Sequence, residues 1–398
     1  GWLADRFGAS ATFATAIAIF TLGSLLCGLS SSVAGLTAAR VLQGAGAAMI
    51  IPVGRLVVLQ HIPKSDYIRA LVIVGLFPTV GMMMGPPVGG FITTYASWQW
   101  VFLFNIPVGL LGVVLVLTCI KNVRAAERRP MDWMGFVLTG IAMSATIYGF
   151  EGISRFGDDF ASMAVLLAFG LAVGLLAVRH ALRKPDALLD FSLLRIETLR
   201  KNVTGGSFFR IAAGGLPFLL PLLFQVVFGL TPFHSGLLTL AIGAGVLSVR
   251  LVVVRAVRAF GFRNGLIANI VLCIVGFILC SMLTPSTPEF LIVLLLFVIG
   301  FAQGFLYTAL NTLAIADVPP ARMSTATSFS QTCQQLAQAA AVAVAASLLH
   351  IGLLARGTET LARSDFVIAF LALGLLEICA LWSFWRMTPT SGDGMRMR

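Results

Sequence analysis

Among the charged residues inside stretches of this sequence that are otherwise apolar are Arg40, Arg210 and Glu377. A charge at the centre of a membrane-spanning helix costs about 2.5–3.5 kcal/mol on insertion scales, so such residues face a partner or a wet cavity and mark ion and proton pathways. Arg40 lies about six residues, roughly 9 Å, inside its helix at the usual rise. It calls for an acidic or carbonyl partner. A cation beside a carboxylate favours the ionised form and so controls when that acid takes a proton; the alternative is an arginine that snorkels or pairs structurally. Glu377 is the one acid well inside the last apolar stretch. Arg210 sits about seven residues into its span, shallow enough to snorkel, and is divided between cavity lining and structure. Gln331, Gln334, Gln335 and Gln338 recur at i, i+3, i+4 and i+7, one polar face on an apolar helix. Such a face looks into a water-filled cavity or a neighbouring helix, and we expect the cavity. Hydrolytic or metal chemistry finds no support. The four histidines are scattered, the six cysteines contain no C-x-x-C pair, and no G-x-x-x-x-G-K-[ST] loop appears. We therefore expect no enzyme, no cofactor, no metal, and an energy source other than ATP.

The elements that must position these residues are membrane helices. The chain is 58% hydrophobic and 11% charged, with mean hydropathy +0.97; soluble domains carry roughly 25% charge. Apolar runs of about 20 residues mark spanning helices. Twelve are expected, near 12–30, 34–61, 69–93, 99–120, 132–151, 161–181, 203–228, 234–256, 264–284, 289–315, 324–349 and 366–386. Threading them alternately puts Arg6, Lys64, Arg69, Lys121, Arg124, Arg128, Arg129, Arg183, Lys184, Arg195, Arg200 and Lys201 on one side, with Arg258, Arg263, Arg322, Arg396 and Arg398. The other side holds Arg155, Arg356 and Arg363. The positive-inside rule then makes both ends of this chain cytoplasmic. The net charge of +11 is topological, and no nucleic-acid partner is needed to explain it. Within the third span, Gly81, Gly85 and Gly89 repeat every four residues and leave one bare face, with Pro86 kinking the helix beside it. Bare faces let membrane helices approach closely, and a bent, tightly packed helix suggests a moving joint.

Four stretches resemble signatures of the major facilitator superfamily. Gly1-Trp2-Leu3-Ala4-Asp5-Arg6-Phe7-Gly8 is similar to the loop between helices 2 and 3, with Ala9 and Ser10 in place of its basic pair. Arg40 to Ala48, with Gln43, Gly44 and Gly46, resembles the helix 4 motif. Gly81, Gly85, Pro86, Gly89 and Gly90 match the helix 5 motif associated with exporters, and Trp98-Gln99-Trp100 through Asn105, Pro107 and Gly109 resembles a signature of the fourteen-helix drug:proton antiporters, the EmrB/QacA-like permeases. The helix 5 motif stands in the third span, so the resemblance implies fourteen helices, twelve in this chain and two absent upstream. Gln303-Gly304 echoes Gln43-Gly44, and Phe260-Gly261 echoes Phe7-Gly8, the weak internal symmetry of two related halves around a midplane site.

The resemblance implies an all-α polytopic membrane protein of the major facilitator fold. Its expected parts are an N-terminal bundle at 1–120, an inserted helix pair at 121–182, a cytoplasmic linker at 183–202 and a six-helix bundle at 203–398. It implies proton-coupled efflux of small hydrophobic or amphipathic compounds across the cytoplasmic membrane by alternating access. An uptake symporter is the runner-up, and a non-transporting membrane sensor the alternative class. Arg40, Gln43 and Glu377 are the proton-coupling candidates, although the last helix of this fold usually lies at the bundle edge, which counts against Glu377. Gly1, Asp5, Arg6 and Gly8 form the cytoplasmic gating loop. Arg210, Gln303 and the glutamine face of 331–338 are cavity candidates. Partners are the substrate, protons and the bilayer, with room for a periplasmic adaptor protein of the kind related permeases in two-membrane bacteria often join.

Overall fold

In the absence of water, every backbone N–H and C=O needs an internal partner, and a helix supplies it within one segment. The computed structural model follows that rule. It describes residues 2–61, 96–122, 132–153, 160–184, 189–319, 322–358 and 360–388, together with isolated positions between 77 and 92. Among them, eleven helices are long and apolar enough to cross a membrane, and no strand occurs. The expected span at 69–93 lies largely outside the described residues.

The chain divides into two compact units, Gly1–Met131 and Asp132–Arg398. In the first, α1 (Trp2–Phe7) and α2 (Ala9–Gly28) are followed by α3 (Val33–His61), the short α4 (Trp100–Leu103) and α5 (Asn105–Cys119). Helix α2 packs on both α3 and α5. Glycine makes these approaches possible. A Cβ on Gly23 would lie 2.6 Å from the Gln43 backbone, one on Gly46 would lie 2.5 Å from Phe20 N, and one on Gly109 would strike the Thr21 hydroxyl. With lipid as apolar as the side chains, close packing of small residues is the available attraction between helices.

The second unit opens with a hairpin of α6 (Trp133–Ile153) and α7 (Phe160–Arg183), which also packs on α12. The buried Asp132 ties its base together, accepting from Gly135 N (3.1 Å), His180 Nε2 (3.0 Å) and Lys184 Nζ (2.9 Å). A 3-10 turn over Phe191–Arg195, capped by Asp190, leads into α8 (Glu197–Leu222). Helix α8 carries Pro217 and Pro221 inside it and runs on as a π-turn over Leu223–Val227. The unit is completed by α9 (Pro232–Ser248), α10 (Val253–Met282, interrupted at Gly261), α11 (Glu289–Ala316), α12 (Met323–Arg356) and α13 (Arg363–Trp385). Leu216, Leu220, Phe224, Phe277, Phe370 and Leu373 are among its core residues. Where α12 gives way to α13, Asp365 accepts from Arg356 Nε (2.9 Å) and from Ala362 N (2.8 Å), so one carboxylate closes the turn and caps the next helix.

The glycines of the Arg40 stretch have unequal tasks. Among the described residues a Cβ on Gly44 would meet nothing within 4 Å, whereas one on Gly46 would press on α2. Overpacking costs about 1–3 kcal/mol. Gly46→Leu is therefore expected to lower the yield of monodisperse protein on size-exclusion chromatography in detergent, and Gly44→Leu to leave it unchanged.

Candidate functional site

In the first unit the Arg40 stretch and the Trp98–Gly109 stretch converge on one polar chain. Arg40 Nη1 donates to Gln43 Oε1 (3.1 Å), and the guanidinium sits 4.6 Å from the centre of the Phe102 ring, within cation–π range. The buried Gln43 donates from Nε2 to Ser24 Oγ (2.7 Å), and Asn105 Nδ2 reaches the same hydroxyl at 3.5 Å. Residues from α2, α3 and α5, with Phe102 of α4, thus share one network. Arg40 is exposed rather than buried, and its described partners are a carbonyl oxygen, that of the Gln43 amide, and an aromatic face. Ser24 and Phe102 gave no signal of their own, because a lone serine or phenylalanine in an apolar span reads as packing.

At the start of the chain the Asp5 side chain and Gly1 lie outside the described residues, and Arg6 is exposed. Other groups also hold the loop. Gly8 takes φ 96°, a region that favours glycine, and a Cβ there would collide with the Asn122 amide. Asn122 Nδ2 donates to Phe7 O (3.0 Å), its Oδ1 accepts from Ala11 N (3.3 Å), and Ser10 Oγ donates to Lys121 O (2.9 Å). The echo in the second unit is structural. Gly261 takes φ 76° after Phe260, and Arg263 Nη2 donates to Trp385 O (2.9 Å), at the end of α13.

The second unit holds a buried polar core. Arg210 is 1% exposed, a correction to the shallow, snorkelling position expected for it. Its Nη1 donates to Asn202 O (3.1 Å) and its Nη2 to Asn202 Oδ1 (3.0 Å), while Asn202 Nδ2 donates to Ser330 Oγ (2.7 Å). Gly206 makes the room, since a Cβ there would lie 2.6 Å from Arg210 Nη1. Tyr307 of α11 lies in the neighbourhood of Arg210, Cys273 and Glu377, with Gln338 also near it. Its ring packs edge-on to Phe209, centroids 4.9 Å apart. Glu377 has no exposed surface, and neither carboxylate oxygen has a hydrogen-bond partner among the described residues. Helix α13 is no bystander at the edge, because it packs on α8, α10 and α12 and turns Glu377 inward. Gln303 is buried, and its Nε2 has no hydrogen-bond partner among the described residues. Along α12, Gln331 and Gln334 are half-buried and Gln335 and Gln338 exposed. Asn202, Ser330 and Tyr307 were missed as site residues. Only their proximity in space reveals them.

Of the exporter motif, Gly81 is helical and exposed, with open space where a Cβ would stand. Gly85, Pro86, Gly89 and Gly90 lie outside the described residues.

Residues 1–342 match the Major Facilitator Superfamily. "Putative multidrug resistance protein MdtD" of Citrobacter koseri is 36% identical over 353 residues, spanning 88% of this chain and 74% of the relative. The protein of that name from Escherichia coli O6:H1 is 34% identical over 394 residues, 96% of this chain and 81% of its own. Two solved structures share the fold. The human organic anion transporter MFSD10 matches with TM-score 0.66 at 16% identity, over 95% of this chain and 77% of that one. An auto-inhibited POT family peptide transporter matches with TM-score 0.63 at 15% identity, over 97% and 83%. Sequence and fold agree over nearly all of the chain, which belongs to the Major Facilitator Superfamily and is a multi-pass membrane transporter rather than an enzyme.

Proposed function

We propose that this chain exports small hydrophobic or amphipathic compounds from the cell in exchange for protons, by alternating access. It would sit in the cytoplasmic membrane with both ends of the chain inside, as a member of the fourteen-helix drug:proton antiporter branch. Substrate class and direction rest on the similarity to MdtD proteins named for multidrug resistance and on the exporter motif at Gly81–Gly90. The basic residues gathered on one side of the threaded chain support the orientation.

Proton coupling rests on Glu377, and this is the observation that carries the reading. An isolated buried charge is so costly that such a group neutralises instead. Arg210, the buried cation of the same core, is already occupied by Asn202. Glu377 can therefore take a proton when its surroundings are dry and give it up when a conformational change wets them. In the first unit the Arg40–Gln43–Ser24–Asn105 chain couples three helices, so a change at Arg40 would reach α2 and α5 through hydrogen bonds. Arg40 in this role would steady a carboxylate that substrate and proton compete for.

Two measurements test the reading. In inverted vesicles, substrate accumulation should collapse on adding a protonophore; accumulation that survives it overturns proton coupling. Glu377→Gln keeps the shape and removes the titrating group. It should fold, bind substrate and lose most gradient-driven transport, whereas unchanged transport would remove Glu377 from the coupling path. For the first unit, charge-assisted hydrogen bonds contribute about 1.5–3 kcal/mol, so Arg40→Ala should slow transport roughly ten- to a hundredfold. Ser24→Ala strips the acceptor from Gln43 and Asn105 and should slow it in the same direction, read in the same vesicles.

A further inference from the structure

Helix α6 starts and α7 ends at the same end of their hairpin, and a cleft of about 530 Å³ opens there. Its walls have two chemistries. Met134, Leu138 and Leu176 make it apolar; Arg179, Arg183 and Lys184 make it cationic. On α7 the residues Leu176, Arg179 and Arg183 follow at i, i+3 and i+7, so one stripe passes from apolar to cationic over about 10 Å towards the helix end. Asp132 holds Lys184 and His180, the remaining titratable residue of the cleft. Arg179 and Arg183 are exposed and have no hydrogen bond or ion pair among the described residues. Trp133, at the start of α6, is 62% exposed at the same end. Tryptophan favours the level of the lipid headgroups.

Cations at a helix C-terminus complement its dipole, so charge alone assigns nothing here. The joining of free guanidinium groups to an apolar-walled cleft at the headgroup level does. The geometry points to a binding site for an anionic phospholipid, its phosphate against Arg179 and Arg183 and an acyl chain along Met134, Leu138 and Leu176. Arginine's planar fork suits a phosphate, which it grips through paired hydrogen bonds. Asp132 keeps the hairpin base closed and Lys184 at the rim, so the two arginines are presented on a fixed platform. This site goes beyond the transport reading and does not depend on the coupling ion or the substrate.

The full chain, purified and delipidated in detergent, tests it by native mass spectrometry with phosphatidylglycerol and phosphatidylcholine. Wild type should retain phosphatidylglycerol in preference to phosphatidylcholine. The Arg179→Gln/Arg183→Gln variant should lose that preference, with phosphatidylglycerol retention falling roughly tenfold or more, as expected for removing two charges facing an anionic headgroup. Arg179→Lys/Arg183→Lys, which keeps the charge, should retain most of it. Equal phosphatidylglycerol retention by wild type and the glutamine variant overturns the site. Equal loss of both lipids overturns its anionic part. Complete displacement of phosphatidylglycerol by millimolar inorganic phosphate would show a site for free phosphate and overturn the lipid assignment.

Discussion

The structure depends on one constraint: within the bilayer core a polar group has no water to fall back on. The backbone answers by being helical throughout the described spans. Side chains answer in two ways. At several places where helices meet, the surface is stripped to glycine and alanine, so backbones touch and dispersion replaces hydrophobic drive. Gly23, Gly46 and Gly109 show this around α2, and Gly245 and Gly300 show it where α9 meets α11. The few polar side chains that remain inside are gathered into islands instead of being spread along the helices.

The two islands differ in kind. In the first unit each member has a partner, and Arg40 reaches Asn105 through Gln43 and Ser24. In the second, Arg210 is held by Asn202 and Asn202 by Ser330, but among the described residues the Arg210 Nε, both Glu377 oxygens and the Gln303 amide nitrogen have no hydrogen-bond partner. A fully wired network is rigid and specific; one with unmet demand is sensitive to whatever arrives, be it a proton, a water or a ligand. The halves are related by backbone, as Gly8 and Gly261 show, yet the second half has Gly300 where the Arg40 pattern would place an arginine. The polar chemistry of the two units is thus distributed unequally over a repeated frame.

Hydropathy alone made the all-helical class legible, because a span of twenty apolar residues has few other uses. Arg40 and Gln43 were legible too, through the resemblance of their stretch to the helix 4 motif, but the bond between them was not. Depth was harder to read. Arg200 and Lys201 pushed the expected start of α8 to 203, whereas the helix begins at Glu197, whose carboxylate binds Thr388, while Lys201 donates to Ser383 O. Arg210 is then thirteen residues in, about 20 Å from the start, and snorkelling is no longer open to it. Glu377 was found as a residue but misjudged in its setting, because which face of α13 turns inward is decided by helices hundreds of residues away. Asn122 and Ser24 carry no local signal, and only the folded chain brings them to Gly8 and Gln43.

Helix α8 carries a consequence of its own. Pro217 and Pro221 cannot donate to the carbonyls of Ala213 and Pro217, so two rungs four residues apart are missing from the same side of the helix. The π-turn at Leu223–Val227 loosens the next segment. Toward its other end the same helix is fastened, with Arg210 locked onto Asn202 and Lys201 onto α13. One continuous rod therefore has a stiffness gradient, clamped near Glu197 and compliant beyond Leu216. Bending at the far end can proceed without dragging the buried guanidinium from its seat. The polar core and the far end of this helix can thus keep separate time.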